Sequence, residues 1–341
     1  MNLPDHQSVC TRPFEWFEVH PDGSVFICCP AWLKRPIGNL LQQSIEEIWN
    51  GSVAQEIRKT IFNGSFHNCS KTRCPHLLNQ TAPVGLLKAV AAAEIKAALL
   101  NRTSQLSFLP QKLNLCFDHS CNLACPSCRQ KIQNAQGTEL QKAQRISDIL
   151  CNELLPEAHA VTLSGFGDPF GSPTYLALLK QLNQHDFPNL QHVRLHTNGQ
   201  LLTQQMWQSL PNLHPLISEI EISVDAASDQ TYRLNRPGGS FSRLLDNLDF
   251  LSRQNCKLTL SMVVQQNNWQ ELTEFYRLGS TFNAKIYLSQ LVNWGTFDKN
   301  EYLRRAIHLP NHPEHQLLLK QLAKLRHLNI DFGNLLPFVS D

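Results

Sequence analysis

From Lys112 onward, apolar runs of period two alternate with stretches of helical period. Leu113, Leu115 and Phe117 mark a strand. The segment Thr138 to Leu154 sets Leu140, Ala143, Ile146, Leu150 and Leu154 on one helical face, and Thr138 with Gln141 matches a capping box. Further strands are expected at Ala160–Ser164, His192–His196, Glu219–Val224, Lys257–Val264 and Lys285–Ser289. Helices are expected between them near Thr174–Asn183, Thr203–Leu210, Ser240–Gln254 and Trp269–Ser280. Repeated β-then-α order predicts a parallel sheet with right-handed crossovers. Six such units suit a partial barrel or an open doubly wound sheet, and one pattern favours the barrel. Ile220, Ile222 and Val224 alternate with Glu221, Ser223 and Asp225, and Val193 and Leu195 alternate with Arg194 and His196. Strands covered by helices on both faces read as continuous apolar runs. A polar second face predicts a lumen that holds a ligand. The expected class is α/β, a partial (β/α)6 barrel of TIM type over residues 108–309 with a C-terminal extension over 310–341. That extension carries a helix near Glu314–Leu325 and a short strand at Asn329–Phe332.

Residues 1–82 have a different texture and predict a small cysteine-rich α+β domain. Trp16 to Val19, a turn at Pro21-Asp22-Gly23, then Val25 to Ile27 read as a hairpin. Ile45, Ile48, Trp49, Val53, Ile57 and Ile61 predict one helix over Ser44–Phe62. The Ala- and Leu-rich stretch over 83–107 is expected to be a connecting helix.

Composition narrows the function. The chain has 341 residues, 42% of them hydrophobic, enough for a substantial core. A net charge of +2 with no run of like charges gives no case for nucleic acid or an acidic membrane surface. Val84 to Leu100 is interrupted by Lys88, Glu94 and Lys96, so it predicts no membrane span, and the first residues lack a signal pattern. A cytoplasmic location is expected. Eleven cysteines in a reducing compartment do not suggest a disulfide framework, and their odd number and clustering favour metal ligation.

Cys121, Cys125 and Cys128 stand in C-x3-C-x2-C spacing directly after the first strand of the alternating region. Three thiolates on one loop can hold three irons of a cubane and leave the fourth without a protein ligand. Gly165-Phe-Gly-Asp168-Pro169 follows the second strand, His196-Thr197-Asn198-Gly199 the third, and Glu221-Ile-Ser223-Val-Asp225 the fourth, with Arg236 beyond it. In this order, over residues 112 to 290, these motifs resemble the radical S-adenosylmethionine (SAM) superfamily. The resemblance implies a [4Fe–4S] cluster on Cys121, Cys125 and Cys128 whose open iron is chelated by S-adenosylmethionine. It implies Gly167 and Asp168 at the methionine amine through backbone carbonyls, and Ser223 and Asp225 at the ribose hydroxyls. Arg236 would face the carboxylate and Asn198 the sulfonium end. It also implies reductive cleavage of the cofactor to a 5′-deoxyadenosyl radical for hydrogen abstraction. Two departures stand out: Ser127 where the family often has an aromatic residue, and Phe166 and Asp168 where Gly and Glu are common. The competing reading is zinc, with His119 or Cys116 as a fourth ligand. It leaves the strand-end motifs unexplained.

Upstream, Cys10, Gly23, Cys28, Cys69 and Cys74, with Ile37-Gly-Asn-Leu40 and Ser44-Ile-Glu-Glu-Ile-Trp49 between them, resemble the SPASM or twitch auxiliary-cluster domains of radical SAM enzymes. Those domains usually follow the barrel; here the segment precedes it, and its short cysteine pattern suggests one auxiliary [4Fe–4S] cluster rather than two. Cys10, Cys28, Cys69 and Cys74 are the expected ligands, with Cys29 able to replace Cys28 and a zinc ribbon as the competing reading. Cys116, Cys151 and Cys256 are expected to be small buried apolar residues. His119 and His196 read as structural, and Trp294 as packing at the barrel's end or lining its mouth. The expected partners are a peptide or small-molecule substrate and a one-electron reductant such as flavodoxin or ferredoxin. SPASM and twitch members often modify peptide or protein side chains, and others oxidise small hydroxylated metabolites. A non-catalytic zinc or iron–sulfur protein is the alternative of a different class.

Overall fold

A computed structural model describes residues 4–163 and 167–339. The chain divides into two compact units.

The first unit comprises residues 1–118, 136–163 and 182–193. It holds β1 (Ser8–Cys10), β2 (Trp16–Val19), β3 (Ser24–Phe26), β4 (Gly38–Asn39), α1 (Ile45–Trp49), α2 (Ser52–Phe62) and α3 (Pro75–Asn79). It continues with β5 (Val84–Leu86), α4 (Ala93–Leu100), β6 (Lys112–Leu115), α5 (Gly137–Ile149) and β7 (Ala160–Leu163). Its main sheet runs β7-β6-β2-β3-β4, with β1 and β5 forming a separate antiparallel pair. The expected hairpin is present, and its first strand goes further than expected. β2 pairs in parallel with β6, from Trp16 opposite Lys112 to Val19 opposite Leu115. Phe17, Val19, Leu113 and Leu115 are all buried, so this ladder is held by apolar packing.

Three sequence expectations change here. The single helix over Ser44–Phe62 is two, broken at Gly51. A Cβ on Gly51 would sit 2.6 Å from the Glu47 carbonyl oxygen, so this extended junction has room only for glycine. The connecting helix shrinks to α4, because Val84–Leu86 pairs with β1 instead. Gly85 is a poor helix residue, and the edge of β1 offers the segment a ladder. Finally, α5 is capped by Gln136 without a side-chain bond, so Thr138 lies inside the first turn and makes no capping box. Leu150–Leu154 continues α5 as a π-helical turn.

The second unit comprises residues 119–135, 164–181 and 194–341. It holds α6 (Pro173–Gln181), the Arg194–Thr197 part of β8 (His192–Thr197), α7 (Gln204–Gln208), β9 (Ile217–Ser223), α8 (Asp229–Asn235) and α9 (Phe241–Leu251). Then come β10 (Lys257–Val264), α10 (Leu272–Thr281), β11 (Lys285–Gln290), α11 (Lys299–Arg305), α12 (His315–Leu325) and β12 (Ile330–Asp331). Its strands lie in the order β12-β11-β10-β9-β8, and the β9–β10, β10–β11 and β11–β12 pairs are parallel. Ile220, Ile222, Leu260, Met262, Ile286 and Leu288 bury one side of this sheet, against helices that include Leu244, Leu248 and Phe275. The fold is α/β with a largely parallel sheet, as the sequence predicts.

The alternation seen in the sequence has a physical counterpart on the polar side of this sheet. Arg194 Nη2 reaches Glu221 Oε2 at 2.6 Å and Arg194 Nε lies 3.4 Å from Glu219 Oε2. His196 Nε2 lies 2.7 Å from Ser223 Oγ, and Thr259 Oγ1 donates to Glu219 Oε1 at 2.9 Å. Among the described residues, no helix is long and apolar enough to cross a membrane.

Candidate functional site

The loop over residues 119–135 carries Cys121, Cys125 and Cys128, and backbone bonds fix its course. Cys121 N donates to Gln133 O at 2.8 Å, Ala135 N to Ser120 Oγ at 2.8 Å and Ala124 N to Pro237 O at 3.1 Å. Cys128 N and Arg129 N both donate to Cys125 O at 2.9 Å, closing a turn that brings the second and third cysteines together. Cys121, Cys125 and Leu123 form one buried group, with Cys128 packed against it.

Each sulfur has its own N–H donor. Asn198 Nδ2 lies 3.7 Å from the Cys121 sulfur, Arg236 Nη1 3.4 Å from that of Cys125, and Arg129 Nη2 3.3 Å from that of Cys128. Burial pushes the Cys121 thiol up to about 11, with the Asp168 charge adding to the rise and Arg129 opposing it. Burial also raises Cys125, while the Arg236 charge pulls the other way. Two cations and an amide around three sulfurs suit thiolates that ligate a metal, since donors of this kind tune such clusters. A tetrahedral zinc centre would bring sulfurs to within roughly 3.8 Å of one another, from Zn–S bonds of about 2.3 Å. Among the described residues, the one group of three metal-donor side chains packed within 4.8 Å is Glu18, His20 and Cys116, which contains none of these cysteines.

The strand-end residues close around this loop. Asp168 is 1% exposed. Its Oδ2 accepts from Thr197 Oγ1 at 2.7 Å and Asn198 N at 2.8 Å, and its Oδ1 from Phe170 N at 3.0 Å. The Asp168 amide donates to Ser120 O at 2.9 Å. One carboxylate therefore ties the second and third strand-end motifs together, and the Asp168 amide joins them to the cysteine loop. Its carbonyl accepts from Gly171 and Ser172 at 3.0 Å each, whereas Gly167 is half-buried beside it. Ser164, Gly165 and Phe166 lie outside the described residues.

Asn198 Nδ2 also donates to Asn122 Oδ1 at 2.9 Å, and its Oδ1 accepts from Gln200 N at 3.0 Å. Its side chain is thus aimed at the cysteine loop. Asp225 follows β9 with φ +60°, a conformation costly for a non-glycine residue. Asn235 Nδ2 at 2.8 Å and Asn268 Nδ2 at 3.0 Å donate to its carbonyl, and Val263 N donates to its Oδ1 at 2.8 Å, so its surroundings over-determine it. Arg236 Nη2 lies 2.8 Å from Asp225 Oδ2. Burial works against the guanidinium charge, but Asp225 and Cys125 more than offset it and raise its pKa. Ser223 Oγ is bonded to His196. Cys121, Cys125, Cys128, Gly167, Asp168, Asn198, Ser223, Asp225 and Arg236 all fall in the second unit.

Sequence reasoning missed two features. Arg129 is 6% exposed and holds His119 O at 2.6 Å as well as the Cys128 sulfur; its position directly after the third cysteine was the available signal. Glu271 accepts from Ala227 N, Ser228 Oγ and Thr231 Oγ1 at 2.5–2.6 Å and pins the turn after Asp225, a contact across 40 or more residues that no local pattern announces. Trp294 is 50% exposed rather than packed, and Cys151 and Cys256 are half-buried.

The first unit holds Cys10, Cys28, Cys69 and Cys74. Burial is the main cause that raises each of the Cys10, Cys28, Cys69 and Cys74 thiols. Their charges also act on one another: Cys10 feels Cys28 and Cys69, Cys28 feels Cys74, and Cys69 feels Cys28 and Cys74. Cys29 feels Glu18 before Cys28 and neither of the later two. The Arg12 guanidinium, stacked 4.0 Å from the Trp16 ring, lowers Cys10, Cys28 and Cys74 alike, and Trp32 Nε1 donates to the Cys28 sulfur at 3.2 Å.

Residues 10–75 match the SPASM family model, an iron–sulfur cluster-binding domain, and residues 117–279 match the radical SAM superfamily model. Among solved structures, anSMEcpe with bound AdoMet and a Cp18Cys peptide is 18% identical, with TM-score 0.44, over 61% of this chain and 56% of that one. SuiB of Streptococcus suis bound to S-adenosylmethionine is 14% identical, with TM-score 0.45, over 84% of this chain and 62% of that one. SuiB bound to its precursor peptide SuiA is 12% identical, with TM-score 0.45, over 97% of this chain and 72% of that one. The chain thus spans less than two thirds of the length of the first two. No curated protein matches it in sequence. The two family models, in the order in which they lie on the chain, carry the assignment: the chain belongs to the radical SAM superfamily of enzymes, with a [4Fe–4S] cluster and S-adenosylmethionine as cofactors and an N-terminal SPASM domain for an auxiliary iron–sulfur cluster.

Proposed function

We propose that this protein abstracts a hydrogen atom from a peptide or protein side chain. Cys121, Cys125 and Cys128 would hold the cofactor's cluster, and Cys10, Cys28, Cys69 and Cys74 the auxiliary one. A cluster held there would supply the single electron for reductive cleavage of S-adenosylmethionine, the chemistry that would give a hydrogen-abstracting 5′-deoxyadenosyl radical. A one-electron reductant such as flavodoxin or ferredoxin would provide that electron in the cytoplasm.

The chain's own residues bind, orient and shield. The Gly167 carbonyl has the place to accept from the methionine amine, because the Asp168 carbonyl already closes the turn to Gly171 and Ser172. Ser223 can turn from His196 to a ribose hydroxyl. Asp225 Oδ1 accepts from Val263 N, while its buried Oδ2 faces Arg236 without a hydrogen bond and so keeps acceptor capacity for a ribose hydroxyl. Arg236 keeps one N–H edge free for a carboxylate, since its buried Nε has no partner. Asn198 and Arg129 steady the sulfurs of Cys121 and Cys128.

The observation that carries this reading is the separate N–H donor on each of the three sulfurs. The choice of a peptide rests on the likeness of the first eighty residues to SPASM domains. Anaerobic reconstitution tests the chemistry. The wild-type chain should form 5′-deoxyadenosine from S-adenosylmethionine and dithionite, and the Cys121→Ala/Cys125→Ala/Cys128→Ala variant should form none while retaining the auxiliary iron. Continued 5′-deoxyadenosine production by that variant would refute the assignment. Deuterium transfer into 5′-deoxyadenosine from labelled peptides, set against labelled hydroxylated metabolites, decides the substrate class.

A further inference from the structure

One group of donors in the first unit belongs to neither cluster. Glu18 sits on β2 opposite Asn114 on β6, and two residues further on, His20 and Cys116 follow the same two strands out. Strand alternation puts Glu18, His20, Asn114 and Cys116 on one face. The Cys116 amide donates to Val19 O at 2.9 Å and fixes the register beyond the strand ends. A Glu18 carboxylate oxygen, a His20 ring nitrogen and the Cys116 sulfur lie within 4.8 Å of one another.

The surroundings of this group are those of a coordination site. Glu18 is 4% and Cys116 3% exposed. Trp16 Nε1 at 3.2 Å and Asn114 Nδ2 at 2.9 Å both donate to Glu18 Oε2. Oε1 is left facing His20 Nε2 at 2.9 Å. The imidazole in turn packs 4.9 Å from the Phe26 ring, which limits its rotation. Supporting donors on one carboxylate oxygen and a clamped imidazole are how proteins aim metal ligands.

We propose that Glu18, His20 and Cys116 form a mononuclear site for a divalent cation, with zinc the metal whose preferences they fit best. Zinc takes carboxylate, imidazole and thiolate donors together, and three protein ligands leave a fourth position for water or a small ligand. The site shares no residue with either set of cluster cysteines.

The test uses the full-length protein, anaerobically reconstituted with both clusters and then given one equivalent of zinc sulfate. Zinc K-edge absorption excludes the iron signal. It should show one sulfur at about 2.3 Å and nitrogen or oxygen neighbours at about 2.0–2.2 Å. Zinc surrounded by four sulfurs, taken by the cluster cysteines, or by oxygen alone overturns the proposal. Cys116→Ser and His20→Gln should each weaken zinc binding by more than about tenfold, a loss seen even when a supporting partner is removed, with iron content and cluster absorbance unchanged. Wild-type zinc affinity in both variants overturns it as well. If either variant fails to fold, the wild-type spectrum decides alone.

Discussion

Arg236 Nη2 lies 2.8 Å from Asp225 Oδ2, two residues after the end of β9, and both side chains are nearly buried. The same guanidinium reaches the Cys125 sulfur through Nη1 at 3.4 Å. One cation therefore compensates both a carboxylate and a cluster ligand. Removing it strands the Asp225 carboxylate in a buried place and takes a donor from the Cys125 sulfur. Arg236→Met should cost about 3–5 kcal/mol in urea unfolding, the loss expected when one partner of a buried pair is removed. Arg236→Met combined with Asp225→Asn should recover part of that loss, because the unpaired charge is gone while the amide keeps the side chain's shape. An additive double variant would show that the pair is uncoupled.

Asp168 plays a different part, as a tie among three backbone segments. Asp168→Ala removes acceptors for Thr197, Asn198 and Phe170. Each charge-assisted bond is worth about 1.5–3 kcal/mol. Hydrogen exchange should report the loss first at the Asn198 and Phe170 amides. Asp168→Asn should protect one of these better than alanine does. Unchanged protection in the alanine variant would mean that the turn holds by itself.

Gly199 has φ +75°, and a Cβ placed on it would lie 2.8 Å from Leu244 Cδ1 and 3.0 Å from Ile222 Cγ2. Gly199→Ala combines a strained backbone with overpacking. The overpacking alone costs about 1–3 kcal/mol. The melting temperature should fall, and truncating Leu244 in the same chain should return part of it.

Glu221 governs part of the acid limb of stability. Burial raises its pKa, but the His196 and Arg194 charges and its hydrogen bonds more than offset that, leaving it below its ordinary 4.5. A carboxyl lowered in the folded state stabilises the fold above the unfolded value. That contribution disappears as the pH falls through the folded one. Denaturant midpoints measured from pH 6 down to pH 3 should drop below about pH 4.5, near the ordinary glutamate value. The drop should be shallower in Glu221→Gln. Parallel profiles for the two proteins would remove Glu221 from the account.

The auxiliary cysteines separate by their neighbours. Cys28 feels Cys74 and receives the Trp32 bond, whereas Cys29 feels Glu18 first. Cys28→Ser should lower the iron content of the reconstituted protein by about four per chain if the auxiliary cluster is a cubane. Cys29→Ser should leave it unchanged. The opposite result would exchange the two residues as ligands.

The chain's local chemistry is enough to announce much of this. The strands from β6 to β11 follow from apolar alternation, and β10 (Lys257–Val264) coincides with its expected bounds. The triad follows from a spacing of seven residues that one loop can close. One error fell where a distant neighbour overrode a local preference, and another at a local break. Val84–Leu86 joined β1 rather than a helix, and the helix over Ser44–Phe62 broke where Gly51 meets the Glu47 carbonyl.

What only the tertiary structure decided is which side chains meet across long stretches of chain. Cys125 and Arg236 are 111 residues apart, Cys121 and Asn198 are 77 apart, and Glu18 and Asn114 are 96 apart. Sequence patterns record the period of a strand or the spacing of a loop, because those are short-range consequences of backbone geometry. The donor that faces a given sulfur is set by strand order and register, which exist only once the sheets have formed. Motifs therefore pointed to the family, and through it to the cofactors that it implies. Folding determined the electrostatic surroundings of each sulfur, and with Glu18, His20 and Cys116 it assembled a group of ligands that no local pattern contains.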